Sequence, residues 1–300
     1  MSDKNRTWVG WQGIVAEVPA DWSLAAVSGD EKSGYFRVDS TGSFMLEAKW
    51  SKAGKRVDLQ ERLRTYLDDL RRRARKKRVD FESKMKTKDA GAVAFSWRSD
   101  RKAHGRLWLC EKCSRVIIAQ LSGSLSDDVS GAASVILPTF EDHAENGWRP
   151  WAVYDLIAEA PPGYALEKHR LMSGYIQLIF RKKSNRLIIE RWGLANVVLK
   201  NTSLRDWFKD RAVYDLRPYR YSIEEMQFGG EPGIHVTGRR SGVVEYLKAG
   251  RESLALRKPA MYLDGYVWVC EESNKILSVQ SLHVRDEDVL DEVLERVECH

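Results

Sequence analysis

Gly105-Arg-Leu-Trp-Leu-Cys-Glu-Lys-Cys-Ser-Arg-Val-Ile-Ile-Ala-Gln120 returns 160 residues later as Gly265-Tyr-Val-Trp-Val-Cys-Glu-Glu-Ser-Asn-Lys-Ile-Leu-Ser-Val-Gln280. Gly, Trp, Cys, Glu and Gln keep their places, and Arg115/Lys275 and Val116/Ile276 are conservative. Two apolar runs on either side of a short polar centre predict a β-hairpin in each copy. A chain of 300 residues can hold two domains, each with its own core. We therefore expect a tandem duplication with repeats at 1–148 and 149–300, joined at Asn146-Gly-Trp-Arg-Pro150, where Gly and Pro break regular structure.

Outward from the hairpin, the rest of each half repeats in order. Trp11–Val18 and Trp151–Glu159 read as opening strands, followed by Pro19-Ala-Asp-Trp22 and Pro161-Pro-Gly-Tyr164. Ser33-Gly-Tyr35 corresponds to Ser173-Gly-Tyr175, and Met45–Trp50 to Leu187–Trp192. From Asp58 the period changes: Leu59, Leu63, Tyr66, Leu67, Leu70 and Ala74 share one helical face, with Asp58 as N-cap. Ser203–Val213 is the shortened counterpart. Strands resume before the hairpin, and helices at about 127–137 and 286–297 close the two halves. Gly91–Ser99 matches Gly233–Ser241 at spacing 142, so moving to spacing 160 requires an 18-residue insertion at about 241–261 in the second half. Tight turns between most strands favour an α+β class, each repeat a mainly antiparallel sheet covered by two helices.

That element order, with Pro-x-x-Trp/Tyr after the first strand (Pro19/Trp22, Pro161/Tyr164), resembles the Mog1/PsbP-like fold family. Its members are mostly binding or assembly factors, so the resemblance implies a non-enzymatic role, with no functional residue carried over.

Composition sets the setting. The polar start leads into no apolar segment and no apolar run could cross a bilayer, so a cytoplasmic protein without a membrane partner is expected. High charge with few Asn and Gln gives a thermophile-like composition. The net charge is +6, and residues 1–148 hold 26 Lys/Arg against 21 Asp/Glu. Between 53 and 78 there are 11 basic and 4 acidic residues. Arg64, Arg71, Arg72, Arg73, Arg75, Lys76, Lys77 and Arg78 thus form the candidate binding surface, for nucleic acid or an acidic protein. Cations at a helix end also complement its dipole, but the equivalent second helix balances Arg205, Lys209 and Arg211 with Asp206 and Asp210.

Other motifs are incomplete. Cys110-x-x-Cys113 is half a zinc motif, with only Cys270, Cys299, His143 and His300 as obvious further ligands. Cys270 recurs opposite Ser273 rather than a second Cys, so the repeated cysteine reads as structural and no metal is assigned. Trp11/Trp151, Trp50/Trp192 and Trp108/Trp268 recur and read as core, which leaves Trp97 and Trp207 as surface candidates. Neither Glu47/Glu190 nor Glu111/Glu271 sits near a His at an acid–base spacing, and His104, His169, His235 and His283 are isolated. With no phosphate loop, dinucleotide fingerprint or nucleophile elbow, neither a catalytic residue nor a cofactor is assigned. The alternative expectation is an enzyme or small-ligand protein with its site in a groove between the repeats.

Overall fold

The computed structural model describes residues 5–54, 56–88, 91–143, 146–212, 216–241, 260–285 and 287–298. It divides into two compact units, Met1–Tyr154 and Asp155–His300, so the boundary falls after the expected 148/149 junction.

In the first unit, β1 (Arg6–Trp11) and β2 (Ile14–Pro19) form a hairpin. A continuous strand over Trp11–Val18 was expected. Gln12 and Gly13 instead take positive φ, 58° and 78°, which makes a two-residue turn whose twist suits a hairpin. Next come β3 (Ser23–Gly29), β4 (Ser33–Asp39), β5 (Met45–Lys52), α1 (Leu59–Lys77) and β6 (Glu82–Lys88). β7 (Ala92–Arg98), β8 (Lys102–Cys110), β9 (Arg115–Gly123), α2 (Val129–Ile136), a 3-10 turn and β10 (Arg149–Val153) complete it. A seven-stranded antiparallel sheet runs β3-β4-β5-β9-β8-β7-β6, and β1 also pairs with β10.

The second unit contains β11 (Leu156–Ala160), β12 (Ala165–Met172), β13 (Tyr175–Lys182), β14 (Asn185–Gly193), α3 (Ala195–Val198) and α4 (Leu204–Ala212). β15 (Tyr219–Phe228), β16 (Glu231–Arg240), β17 (Tyr262–Cys270), β18 (Lys275–His283), α5 (Leu290–Leu294) and β19 (Val297–Glu298) follow. Its sheet runs β12-β13-β14-β18-β17-β16-β15, the first unit's order with every strand advanced by nine. Even the irregularities correspond, because β3 shifts register between Leu24 and Ala26 and β12 between Leu166 and Lys168. Bulges at matching places bend both edge strands alike.

Three expectations change. Tyr154, at φ 55°, divides the expected Trp151–Glu159 strand into β10 and β11. The last helix shrinks to α5, because Val297 joins β19, which pairs with β11. The one-turn α3 was not foreseen. The expected 18-residue insertion at about 241–261 lies almost wholly outside the described residues, which stop at 241 and resume at 260.

α1 forms as its sequence dictates. The Asp58 side chain accepts from the N–H groups of Gln60 and Glu61, and Leu63, Leu67 and Ala74 are buried. Leu63 and Leu67 pack with Val93 and Phe95, while Leu59, Tyr66 and Leu70 cover the edges. On the opposite sheet face Phe36, Trp50, Trp108 and Phe140 form linked aromatic contacts. The second unit has one large core in which Trp207 meets Trp192 edge-on at 4.8 Å. Among the described residues no helix is long and apolar enough to cross a membrane.

Candidate functional site

The basic end of α1 lies opposite its buried stripe. Arg64, Arg72, Arg73, Arg75, Lys76, Lys77 and Arg78 are exposed and Arg71 is half-buried. Three of these cations are partnered: Arg71 with Asp68 at 2.6 Å, Arg72 with Asp69, and Lys77 with Asp100 at 3.3 Å. Arg71 also lies over the Phe81 ring, and Arg64 donates to Gln60 at 3.5 Å. Among the described residues Arg73, Arg75, Lys76 and Arg78 have no carboxylate partner. Of the eight candidate residues, four at the helix end stand free of carboxylates, and Arg64 lies about two and a half turns before Arg73.

Arg78 ends the helix in the left-handed region, φ 59° and ψ 40°, its N–H bonded to the Ala74 and Arg75 carbonyls. Glycine takes that conformation without steric cost; arginine does not. In the second unit Lys209 pairs with Asp206 at 3.1 Å, which leaves α4 near balance.

The two tryptophans expected at the surface are elsewhere. Trp207 is buried, and Trp97 is half-buried, stacked on Phe81 with its N–H donated to Gln120. Trp207 has no open ring face, and one face of Trp97 is taken by Phe81. The repeated tryptophans Trp11, Trp151, Trp50, Trp192, Trp108 and Trp268 are all buried.

Both sheets carry a similar polar arrangement, around the half-buried Glu47 and the buried Glu190. Glu47 accepts from Tyr35 Oη at 2.9 Å and Gln120 Nε2 at 2.8 Å. Glu190 accepts from Tyr175 Oη at 2.5 Å, Gln177 Nε2 at 2.8 Å and Gln280 Nε2 at 3.3 Å. A cavity of about 890 Å³ beside α4 is lined by Tyr175, Glu190, Trp192, Trp207, Phe208 and Arg211, among others. The Glu190 oxygens are held by amide and phenol donors, so this carboxylate serves the fold rather than acid–base work. Gln120 and Gln280, like Tyr35 and Tyr175, hold equivalent places in the two halves, but three different strands supply each group, so spacing along the chain does not connect them to the carboxylates.

The hairpins place their cysteines alike and their neighbours differently. In the first, Ser114 at φ 51° turns the chain and Cys110 faces Arg115 across the register; in the second, Asn274 at φ 53° and Lys275 take those places. Near Cys110 stand Cys113 and two residues distant in sequence, Asp142 and His143. Cys110 Sγ is 3.3 Å from His143 Nδ1, which is 2.8 Å from Asp142 Oδ1. A nucleophilic relay needs the two imidazole nitrogens to face opposite ways, toward thiol and carboxylate separately. Here one nitrogen faces both. Burial also pushes the Cys110 thiol up to about 11, outweighing the hydrogen bond from the Cys113 N–H. A relay is therefore the wrong chemistry for this cluster. His235 and His283, isolated in sequence, meet Asp264 at 2.7 Å and Asp288 at 3.5 Å.

No protein-family model matches the chain, and no curated protein does. Among solved structures it is similar to a chain in the crystal structure of the Tle4–Tli4 complex, with 10% identity over 100% of this chain and 99% of that one and a TM-score of 0.32. It is also similar to immunity protein TplEi of T6SS from Pseudomonas aeruginosa. The apo structure has 10% identity over 99% of this chain and 98% of that one, at a TM-score of 0.32. The structure complexed with "L" peptide has 11% identity over 99% of each chain, at 0.31. At TM-scores of this size the likeness decides neither fold nor role.

In the second unit Asp155 accepts from Lys275 at 2.8 Å and from Arg191, a side chain only 7% exposed. Burial raises the Asp155 carboxyl, but the hydrogen bonds from Arg191 and Lys275 outweigh it and hold the group below its ordinary 3.8. A depressed folded-state pKa contributes stability above the unfolded value, lost as pH falls through the folded one. Asp155→Asn is expected to cost about 1–2 kcal/mol at pH 7, a figure discounted because the carboxylate is 40% exposed. Urea unfolding of both proteins should show that difference at pH 7 and convergence well below pH 4.

Proposed function

We propose that the chain arose by duplication of one α+β unit and acts in the cytoplasm as a non-enzymatic binding protein. Its first unit engages an acidic protein surface through Arg73, Arg75, Lys76 and Arg78. The observation that carries this reading is that these four exposed cations have no carboxylate partner among the described residues, although α1 pairs Arg71 with Asp68 and Arg72 with Asp69. The dipole rewards positive charge only within the last turn, and Arg73 lies before it. Arg78 adds a cation where glycine would end the helix more cheaply, the pattern of a residue kept for binding at a cost in stability. Phosphates would also satisfy four cations. The half-buried state of Tyr66, Phe81 and Trp97 leaves little ring face for base stacking beside them, which favours carboxylates over single-stranded nucleic acid. The Mog1/PsbP-like resemblance agrees with a binding role.

The test is binding of polyglutamate, RNA, single-stranded DNA and duplex DNA across a salt series. Affinity for polyglutamate should fall with salt, and Arg73→Glu, Arg75→Glu, Lys76→Glu and Arg78→Glu together should weaken it roughly 100-fold. Arg78→Gly should weaken binding while raising stability by about 1 kcal/mol. Salt-independent binding, or indifference to the four reversals, would overturn the basic-surface reading. Tighter binding of a nucleic acid than of polyglutamate would overturn the choice of an acidic protein.

A further inference from the structure

We infer that Cys110, Cys113, Asp142 and His143 form a structural binding site for a soft divalent cation, zinc in the first instance. Ligand atoms of Cys110, Cys113 and Asp142 all lie within 4.8 Å of one another, and His143 Nδ1 is 3.3 Å from Cys110 Sγ. Donors around one tetrahedral zinc stand roughly 3.3–3.8 Å apart, so the trio draws together and His143, which stands outside it, turns in to complete the set. Two sulfurs, one imidazole nitrogen and one carboxylate oxygen are a donor set suited to zinc. Four protein donors fill a tetrahedral ion and leave no open position, which makes the site structural rather than catalytic.

The surroundings hold the donors in the way metal sites require. Trp108 Nε1–H donates to Asp142 Oδ2 at 3.2 Å, Arg115 Nε–H to Cys113 Sγ at 3.2 Å, and the Cys113 N–H to Cys110 Sγ at 3.5 Å. Arg115 is itself fixed by the Gln12 carbonyl at 2.9 Å and the Asp142 carbonyl. Donation to both sulfurs and to the second carboxylate oxygen orients ligands and stabilises their anionic forms. The second hairpin is the internal control. It keeps Cys270 and the same turn but has Ser273 at the second position and the Asp155–Lys275 ion pair beside it. The turn therefore folds without a second thiol, so Cys113 is not there for folding alone. A metal here would tie the β8–β9 hairpin to the segment after α2.

The experiment is cobalt and zinc titration of the full chain, purified, stripped with chelator and kept reduced. The expected result is about one equivalent bound, with a thiolate-to-cobalt charge-transfer band and tetrahedral visible bands. Cys113→Ser, which copies the second hairpin, should stay folded and bind at least 10-fold more weakly. His143→Ala should lose the imidazole contribution to the visible spectrum. Less than about 0.1 equivalent bound by the reduced wild-type chain, or unchanged affinity in folded Cys113→Ser, would overturn the inference.

Discussion

Trp11→Ala is expected to lower the stability of the first unit by about 3–5 kcal/mol, the range for removing a large buried aromatic. Trp11 is 0% exposed and meets the equally buried Trp151 edge-on, with ring centroids 5.0 Å apart. Alanine leaves a void bounded by the Trp151 ring and the β1–β2 hairpin, which cannot collapse without breaking the pairing of Trp11 with Ile14. Edge-to-face contact adds about 1 kcal/mol beyond the buried area. For a unit of this size the midpoint should fall by roughly 10 °C. Calorimetry would show the loss, and a change of less than about 1 kcal/mol would mean that the pair does not hold β1 in place.

Glu190→Leu should be the most damaging polar substitution, at about 2–4 kcal/mol, because it removes an acceptor from several buried donors at once. Gln177 and Gln280 are 5% and 4% exposed, so water cannot readily take the carboxylate's place. Glu190→Gln keeps the shape and one acceptor oxygen and should cost less. Urea unfolding of the two variants tests the account: equal losses would show that shape rather than hydrogen bonding matters there. Glu47, with two donors, should follow the same order with smaller losses.

Local sequence carried most of the strand and helix placement. Alternation located the hairpins, the Asp58 cap and apolar period located α1, and the spacing of 142 between Gly91–Ser99 and Gly233–Ser241 anticipated matching strands β7 and β16. Gln12 and Tyr154 were missed as turns because neither is a residue type that advertises positive φ. The last helix was overextended because Val297 fits a helical face as well as a strand, and only pairing with β11 distinguishes them. The basic surface was visible as composition, but which of its cations are free was not, since Asp100 reaches Lys77 from another part of the chain.

The sequence by itself determined the repeat, the period of each element and the charge of α1, because each depends on spacing along the chain or on residue type. Only tertiary structure decided what the opening hairpin is beside. His143 was one ligand candidate among several until folding brought it and Asp142 to Cys110. Repeat symmetry therefore reveals what both units need in order to fold. The meeting of Cys110 with His143 joins side chains about 30 residues apart, where spacing carries no signal.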